Sequence, residues 1–424
     1  MNSATQNQQR VVPQAAWARE LNIAGGFLDA ARVVPLQVPQ LLADAQALTG
    51  LVDFGEDSFR EGLEVLVDAL NREAQLTLTG RLVVGEEIRR VLQSRLRVIE
   101  FEKQHPQVHA ETIVAPLFIV GMGRTGSTIL HEYLAQDPAQ RAPLVWEMRL
   151  PCPLDAGAAV AQDRAARIAW SEAETRIQYE IDSSLRAKHE QRFDLPEECS
   201  QLMAYEFRSG HFFSRNAIPA YAQWNARADV RPALRMHRRI LRILQHQERL
   251  QGRAPRRWVL KYGGHMPHMP ALLEIYPDAR IIHTHRDPAA VVQSFVSLMA
   301  STRLARSDVF DAAAASEMLN AGMARIVEKI IAERESGAIP AAQIADVHFR
   351  DLLADPVGAI ARAYTQLGLP CTDAGRAGIE RYIAERPRTQ HGRHDYAYAD
   401  VVDLAHERER YRRYVEHYAI AEER

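Results

Sequence analysis

The sequence predicts an α/β protein built on a mainly parallel sheet, and three observations carry that prediction. Short apolar runs at 117–120, 257–260, 279–284 and 345–349 read as buried strands, and helical patterns separate them. The first run ends in a glycine-rich loop that leads straight into a helical pattern, giving strand, loop and helix in order. Two later runs are followed by Asp-Pro pairs, Asp287-Pro288 and Asp355-Pro356. These start helices, because aspartate caps the first free amides and proline fits the first turn.

Taken in order, residues 1–15 are rich in Asn, Gln and Ser and read as a disordered tail. From Ala16 to His109 the pattern is helical. Leu41, Leu42, Ala45 and Leu48 recur at three- and four-residue steps, as do Leu63, Leu66, Val67 and Leu70, and then Ile88, Val91, Leu92 and Leu96. Gly50, Gly55 and Gly80 punctuate these segments. The expected division is a helical N-terminal region, 1–109, and an α/β domain, 110–424. After the loop, Leu130, Tyr133 and Leu134 form a helical face that stops near Asp137-Pro138. Residues of about 160–250 form a helical insertion rich in Arg, Glu and His, suited to a lid or an acceptor-binding role. Val291, Val292, Phe295, Val296 and Met299 are the buried face of the helix begun at Asp287. The helix begun at Asp355 runs to Leu367, with Gly368 as its stop, and C-terminal helices fill about 370–424.

Composition excludes several function classes. The 424 residues carry 52 Lys and Arg against 54 Asp and Glu, a net charge of −2. A near-neutral chain lacks the basic excess needed to coat nucleic acid, yet a local anion pocket needs only two or three cations. Cys152, Cys199 and Cys371 are scattered and without C-x-x-C spacing, so neither a disulfide framework nor a zinc site is indicated. Met1 to Arg10 lacks an apolar core of the secretory type, and no run approaches the ~18 apolar residues of a membrane span. A reducing, cytoplasmic setting without an integral membrane segment is the expectation, and homo-oligomerisation stays open.

The strongest local feature is Gly121-Met122-Gly123-Arg124-Thr125-Gly126-Ser127-Thr128. Glycines between a strand and a helix let backbone N–H groups and the helix N-terminus face an anion, here with two hydroxyls and an arginine added. Three readings share this geometry. Gly121, Gly123 and Gly126 spell the G-x-G-x-x-G of a dinucleotide site, with Glu147 as a ribose-binding acid, but Pro143 and Pro151 make a poor second strand around it. Gly121 and Gly126 have Walker A spacing, but Ser127 stands where the phosphate-bridging lysine is required. Third, Gly-Arg-Thr-Gly-Ser-Thr-x-Leu resembles the 5′-phosphosulfate loop of sulfotransferases that use 3′-phosphoadenosine-5′-phosphosulfate, PAPS.

A second segment supports that resemblance. Tyr276-Pro277-Asp278-Ala279-Arg280-Ile281-Ile282-His283-Thr284-His285-Arg286-Asp287-Pro288 is similar to the family's second signature, with Ser294 eight residues after Arg286. The resemblance implies that Arg286 and Ser294 hold the donor's 3′-phosphate. A guanidinium fork and a helix hydroxyl suit a phosphate, the alternative being that Arg286 only pairs with Asp287 or another acid. The resemblance covers about 115–300 and 340–370, and is nearest to bacterial sulfotransferases with an added helical N-terminus. The chain departs from the family at Phe349, where many members carry tyrosine.

The resemblance implies a P-loop-like sulfotransferase that moves a sulfuryl group from PAPS to a hydroxyl of a small-molecule, lipid or sugar acceptor and releases adenosine 3′,5′-bisphosphate, PAP. Gly123, Arg124, Thr125, Gly126, Ser127 and Thr128 would hold the 5′ side. Glu147, 23 residues after Arg124, matches the glutamate that serves as base in tyrosylprotein and some bacterial members. His265, His268 and His131 are its alternatives, since histidine is the base in the phenol- and steroid-type enzymes. Lys261 and Arg124 would stabilise charge on the leaving group. Arg388, His391, Gly392 and Arg393 lie in a basic loop of the kind that closes over the nucleotide in this family. The transferred group carries little net charge, so no metal is required. Trp146, Phe212, Phe213 and Trp224 are candidate acceptor walls, and Leu195 to Cys199 reads as a loop leading into a helix. Two rivals stay open, an NAD-dependent oxidoreductase and a non-catalytic PAP-binding protein.

Overall fold

The computed structural model describes residues 14–386 and 403–423, apart from Ala156 and His189. Most of the tail, and Arg388, His391, Gly392 and Arg393 of the basic loop, lie outside the described residues.

The N-terminal region consists of α1 (Ala16–Gly25), α2 (Ala30–Val33), α3 (Val38–Thr49), α4 (Ser58–Arg72) and α5 (Leu78–Gln104). The spaced apolar residues of α3, α4 and α5 meet in one cluster, except that Leu48 is exposed. That cluster continues into Ala204, Phe207, Phe212, Ile218 and Tyr221, so the helical region shares its core with the insertion. Gly80 does not punctuate the helices. It lies inside α5, where a Cβ would stand 1.9 Å from the Arg306 carbonyl oxygen. Close backbone contact, not a turn, is what requires glycine there.

The α/β part begins with β1 (Leu117–Gly121) and α6 (Ser127–Leu134), then β2 (Gln140–Arg141) and α7 (Val145–Arg149). The insertion follows as α8 (Val160–Ile181), α9 (Leu185–Lys188), α10 (Ser200–Met203), α11 (Gly210–Arg215), α12 (Pro219–Arg227) and α13 (Arg231–Leu250). Next come β3 (Arg257–Lys261), α14 (Met269–Ile275), β4 (Arg280–His285), α15 (Pro288–Leu304), α16 (Ala312–Glu335) and β5 (Ile344–His348). The last described helices are α17 (Phe349–Ala354), α18 (Pro356–Gln366), α19 (Asp373–Glu385), α20 (Leu404–Arg410) and α21 (Arg412–His417).

The expected α/β class is observed. The strands form one parallel sheet in the order β2-β3-β1-β4-β5. Both faces are covered, which is why the strands read as continuous apolar runs. Phe118, Val120, Leu260 and Ile281 enter one core, and Leu117, Ile119, Val259, Ile282 and Val347 enter the other. Asp287 and Asp355 cap their helices as anticipated, accepting from the amides of Ala289 and Gly358. Strand order reverses at β1, with β3 on one side and β4 on the other. The carboxyl ends of these three strands therefore frame the crevice where ligands of open α/β sheets bind.

Candidate active site

The glycine loop occupies that crevice. Arg124 and Gly126 both have left-handed backbones, φ 70° and 81°, so the chain turns sharply into α6, whose N-terminus has no side-chain cap. Gly126 also lies against Phe349, where a Cβ would come within 2.7 Å of the ring. The Thr125 hydroxyl faces inward. It donates to the Met122 carbonyl at 2.7 Å and lies 2.6 Å from the Thr284 hydroxyl, so it shapes the loop and leaves only its backbone for a ligand. Ser127 and Thr128 open the helix, and Thr128 is exposed.

Lys261 ends β3, beside the loop. Its buried ammonium donates to Thr128 Oγ1 at 3.0 Å and to Glu198 Oε1 at 2.6 Å. Glu198 is placed by its neighbours. The Glu197 amide donates to the Pro143 carbonyl at 3.1 Å, and the Cys199 amide donates to the Lys261 carbonyl at 2.9 Å. The segment 196–199 is thereby tied between α7 and β3. Glu198 is a site residue that the sequence reading missed. Its one local signal was that it lies in the loop-to-helix segment Leu195 to Cys199.

On the other side of β1, Arg286 and Ser294 reach the same crevice. Arg286 Nη1 donates to the Arg124 carbonyl at 2.9 Å, and Arg124 Nε donates to Ser294 Oγ at 2.9 Å. Arg124 Nη1 also donates to the Lys188 carbonyl at 3.2 Å. Loop, α9, β4 and α15 are therefore joined through one arginine. The Arg286 guanidinium lies over the Phe349 ring, 4.4 Å from its centroid, so phenylalanine offers an aromatic face where the family's tyrosine would add a hydroxyl. The fork of Arg286 is engaged by Glu423, with Nε and Nη2 at 2.8 and 2.7 Å from the two carboxylate oxygens. Lys188 and Glu423 had no signal in the sequence.

Glu147, expected as the base, is engaged by partners of its own. Its Oε1 accepts from Arg141 Nη2 at 2.5 Å, and its Oε2 accepts from the Leu144 amide at 3.0 Å. Arg141 also pairs with Glu248 at 3.2 Å and stacks on Trp258. Arg141 is in register with Trp258, whereas Lys261 ends the same strand, about 10 Å further along at ~3.3 Å per residue. The carboxylate of Glu147 is thus tied to the amino-end network of the sheet.

Of the alternative histidines, His131 and His265 are buried in the core and His268 is half-buried. His131 Nε2 lies 3.0 Å from the Val259 carbonyl oxygen, and burial, aided by the Lys261 charge, pushes its pKa down to about 3. Burial also pulls His268 down to about 4 and His265 well below the ordinary range. His265 sits edge-on to Phe118, His237 and Tyr262. Two groups among the described residues have ligand-type atoms within 4.8 Å of one another, Cys199 with His237 and His265, and His283 with His285 and Asp346. Asp346 is already held by a two-point Arg334 contact at 2.7 and 2.8 Å and by His285 at 2.9 Å. Of the suggested acceptor walls, Trp146 and Phe212 are buried in packed surroundings and Trp224 bonds to Glu61 of α4. Phe213 stands near Gly210 and Tyr262, next to Lys261.

An anion crevice at the carboxyl edge, with a lysine on one strand end and an arginine–serine pair on the other, is therefore assembled from elements far apart in the chain. A sequence profile described as the sulfotransferase family matches residues 116–373, more than half of the chain. The chain belongs to the sulfotransferase family. It is 27% identical over 282 residues to omega-hydroxy-beta-dihydromenaquinone-9 sulfotransferase Stf3 of Mycobacterium bovis, covering 65% of this chain and 69% of that protein, and equally to its Mycobacterium tuberculosis counterpart. Among solved structures, sulfotransferase STF9 from Mycobacterium avium matches with a TM-score of 0.80 and 26% identity, over 91% of this chain and 97% of that one. Sulfotransferase STF1 from M. tuberculosis matches with a TM-score of 0.72 and 29% identity, over 88% and 98%. Among the described residues no helix is long and apolar enough to cross a membrane.

Proposed function

We propose that this sulfotransferase takes its sulfuryl group from PAPS, delivers it to a hydroxyl group on an apolar, lipid-type acceptor, and releases PAP. The observation that carries the donor assignment is the meeting of the Gly121–Thr128 loop with Arg286 and Ser294 across β1, linked through Arg124. Such a crevice suits a ligand with phosphate-type groups at two places, which PAPS has and AMP and NAD lack. The acceptor class is argued from the relative named for a hydroxylated menaquinone.

In this reading the acceptor oxygen attacks sulfur in line as the bond from sulfur to the bridging oxygen breaks. Glu198 takes the acceptor proton, and the electron pair leaves with the 5′-phosphate of PAP. Lys261, held between Glu198 and Thr128, offers its charge to the bridging oxygen, where negative charge develops. Arg124 and the amides of Gly123 to Thr128 hold the 5′ side, and Arg286 with Ser294 holds the 3′-phosphate. Thermal unfolding with PAP, AMP, ATP and NAD titrated separately tests the donor. A ligand at 100 times its Kd stabilises by about 2.7 kcal/mol. The expected result is a Tm rise with PAP well beyond that with AMP, abolished in Arg286→Ala. A response to NAD or ATP without one to PAP would overturn it.

A further inference from the structure

The crevice contains a carboxylate supplied by the chain itself. Glu423 meets the Arg286 fork with both oxygens, at 2.8 and 2.7 Å, the geometry by which a guanidinium grips a phosphate. The Glu423 amide donates to Asp287 Oδ2 at 2.8 Å, while Asp287 Oδ1 caps α15. Upstream, Tyr414, Tyr418 and Ile420 are buried in the main core and anchor the segment. Beyond Ile420 the holding contacts are polar. Ala421 and Glu422 border a cleft of about 400 Å³ that opens between α20, α21 and the start of α15. Residues 421–423 are held by polar contacts at the edge of this cleft, with Ala421 and Glu422 exposed.

We infer that Glu423 is a displaceable internal ligand, which occupies the 3′-phosphate cradle until the donor's phosphate takes its place and lifts residues 421–423 from the crevice. This inference rests on the PAPS reading and adds to it a coupling between donor binding and the C-terminal segment. The physical basis is competition for one fork. A phosphate carries more charge than a carboxylate and three acceptor oxygens, so it wins, but its observed affinity is reduced by the fraction of molecules in which Glu423 is docked. A nucleotide without a 3′-phosphate makes no claim on the fork and leaves Glu423 in place.

The test compares wild type with Glu423→Gln, a substitution at a partly exposed side chain that keeps size and removes charge. PAP and AMP affinities are measured by calorimetry, and amide exchange of residues 419–423 is followed with and without each nucleotide. Expected are PAP binding about tenfold tighter in the variant, as for a segment docked ~90% of the time, and AMP binding unchanged. Exchange at 421–423 should quicken on adding PAP to wild type and be fast in the variant without ligand. Equal PAP affinity in both proteins, or protection at 421–423 that survives saturating PAP, would overturn the displacement. Failure of both proteins to bind PAP would overturn the donor reading, and the displacement with it.

Discussion

The two ends of the central sheet carry similar side chains and use them differently. At the amino end, Arg141 ties Glu147 and Glu248 together, Arg256 adds a second contact to Glu248 at 2.9 Å, and Trp258 lies under the Arg141 guanidinium. At the carboxyl end, Lys261 pairs with Glu198, and Arg286 pairs with Glu423. Each end is a set of buried or half-buried cations against carboxylates. What differs is the backbone beside them. The carboxyl end has a left-handed turn and a helix N-terminus without a side-chain cap, and Glu198 and Glu423 are partly exposed. At the amino end Glu147 and Glu248 are buried and closed in by their partners. Ion pairing alone does not separate the two ends; their place relative to the point where strand order reverses does.

The largest expected effect breaks the amino end. Arg141→Ala leaves Glu147 and Glu248 buried with a partner removed, and should cost ~3–5 kcal/mol in chemical unfolding while PAP still raises the Tm of the folded fraction. Lys261→Met attacks the carboxyl end. It should lower kcat by ~10²–10³-fold, with PAP affinity changed by only a few fold in the same calorimetric assay. The two glutamates then give the direct contrast. Glu198→Gln should reduce kcat by at least ~10²-fold with little change in stability. Glu147→Gln should keep kcat within about threefold and lose ~1–3 kcal/mol of stability. Normal turnover in Glu198→Gln, or lost turnover in a folded Glu147→Gln, would reverse the assignments.

The remaining effect is spread over pH. Burial holds His131 and His237 at about 3 and His211 at about 4, below the ordinary histidine value. Each is neutral in the fold but takes a proton when unfolded below about pH 6.5, so its contribution is complete above that pH and is lost as pH falls. Stability should therefore decline progressively as pH falls below about 6.5. A Tm measured from pH 8 to pH 4 should stay level and then fall from about pH 6.5. A fall delayed to the carboxylate range would contradict it.

Much of the fold was legible because it is local. β1, β3, β4 and β5 were read as strands, and glycine, lysine and an Asp-Pro pair mark the ends of the first three, whereas α17 follows β5 directly and was not read. Arg286 and Ser294 were legible for the same reason, being eight residues apart on one strand-to-helix turn. The edge strand β2 was not legible, because Gln140-Arg141 has no apolar character and is a strand only through its pairing with β3. The partners of Glu147 were not legible, because Arg141 lies on the unread edge strand. Glu147 stands three residues into α7 and reaches back to the Leu144 amide, the habit of a helix-capping glutamate. Glu198 was unreadable because its position depends on Pro143 and on Lys261, 63 residues ahead. Thr125 was half-legible, since the residue type was noticed but not that its hydroxyl turns toward Thr284.

One helix gives the N-terminal region a bearing on the chemistry. α15 holds Ser294 under the loop at one end. Just past its other end, the Arg306 carbonyl accepts from the Thr77 amide at 3.0 Å, Arg306 pairs with Glu87 at 3.1 Å, and Gly80 leaves room for that carbonyl. Arg303, in its last turn, donates to the Phe213 carbonyl at 2.9 Å. α15 thus works as a strut between the α4–α5 hairpin and the crevice. A graft that exchanges the hairpin for that of a distant relative, without matching residues 303–306, would tilt the strut and loosen Ser294 from below. The two parts are expected to be inherited, and engineered, as a pair.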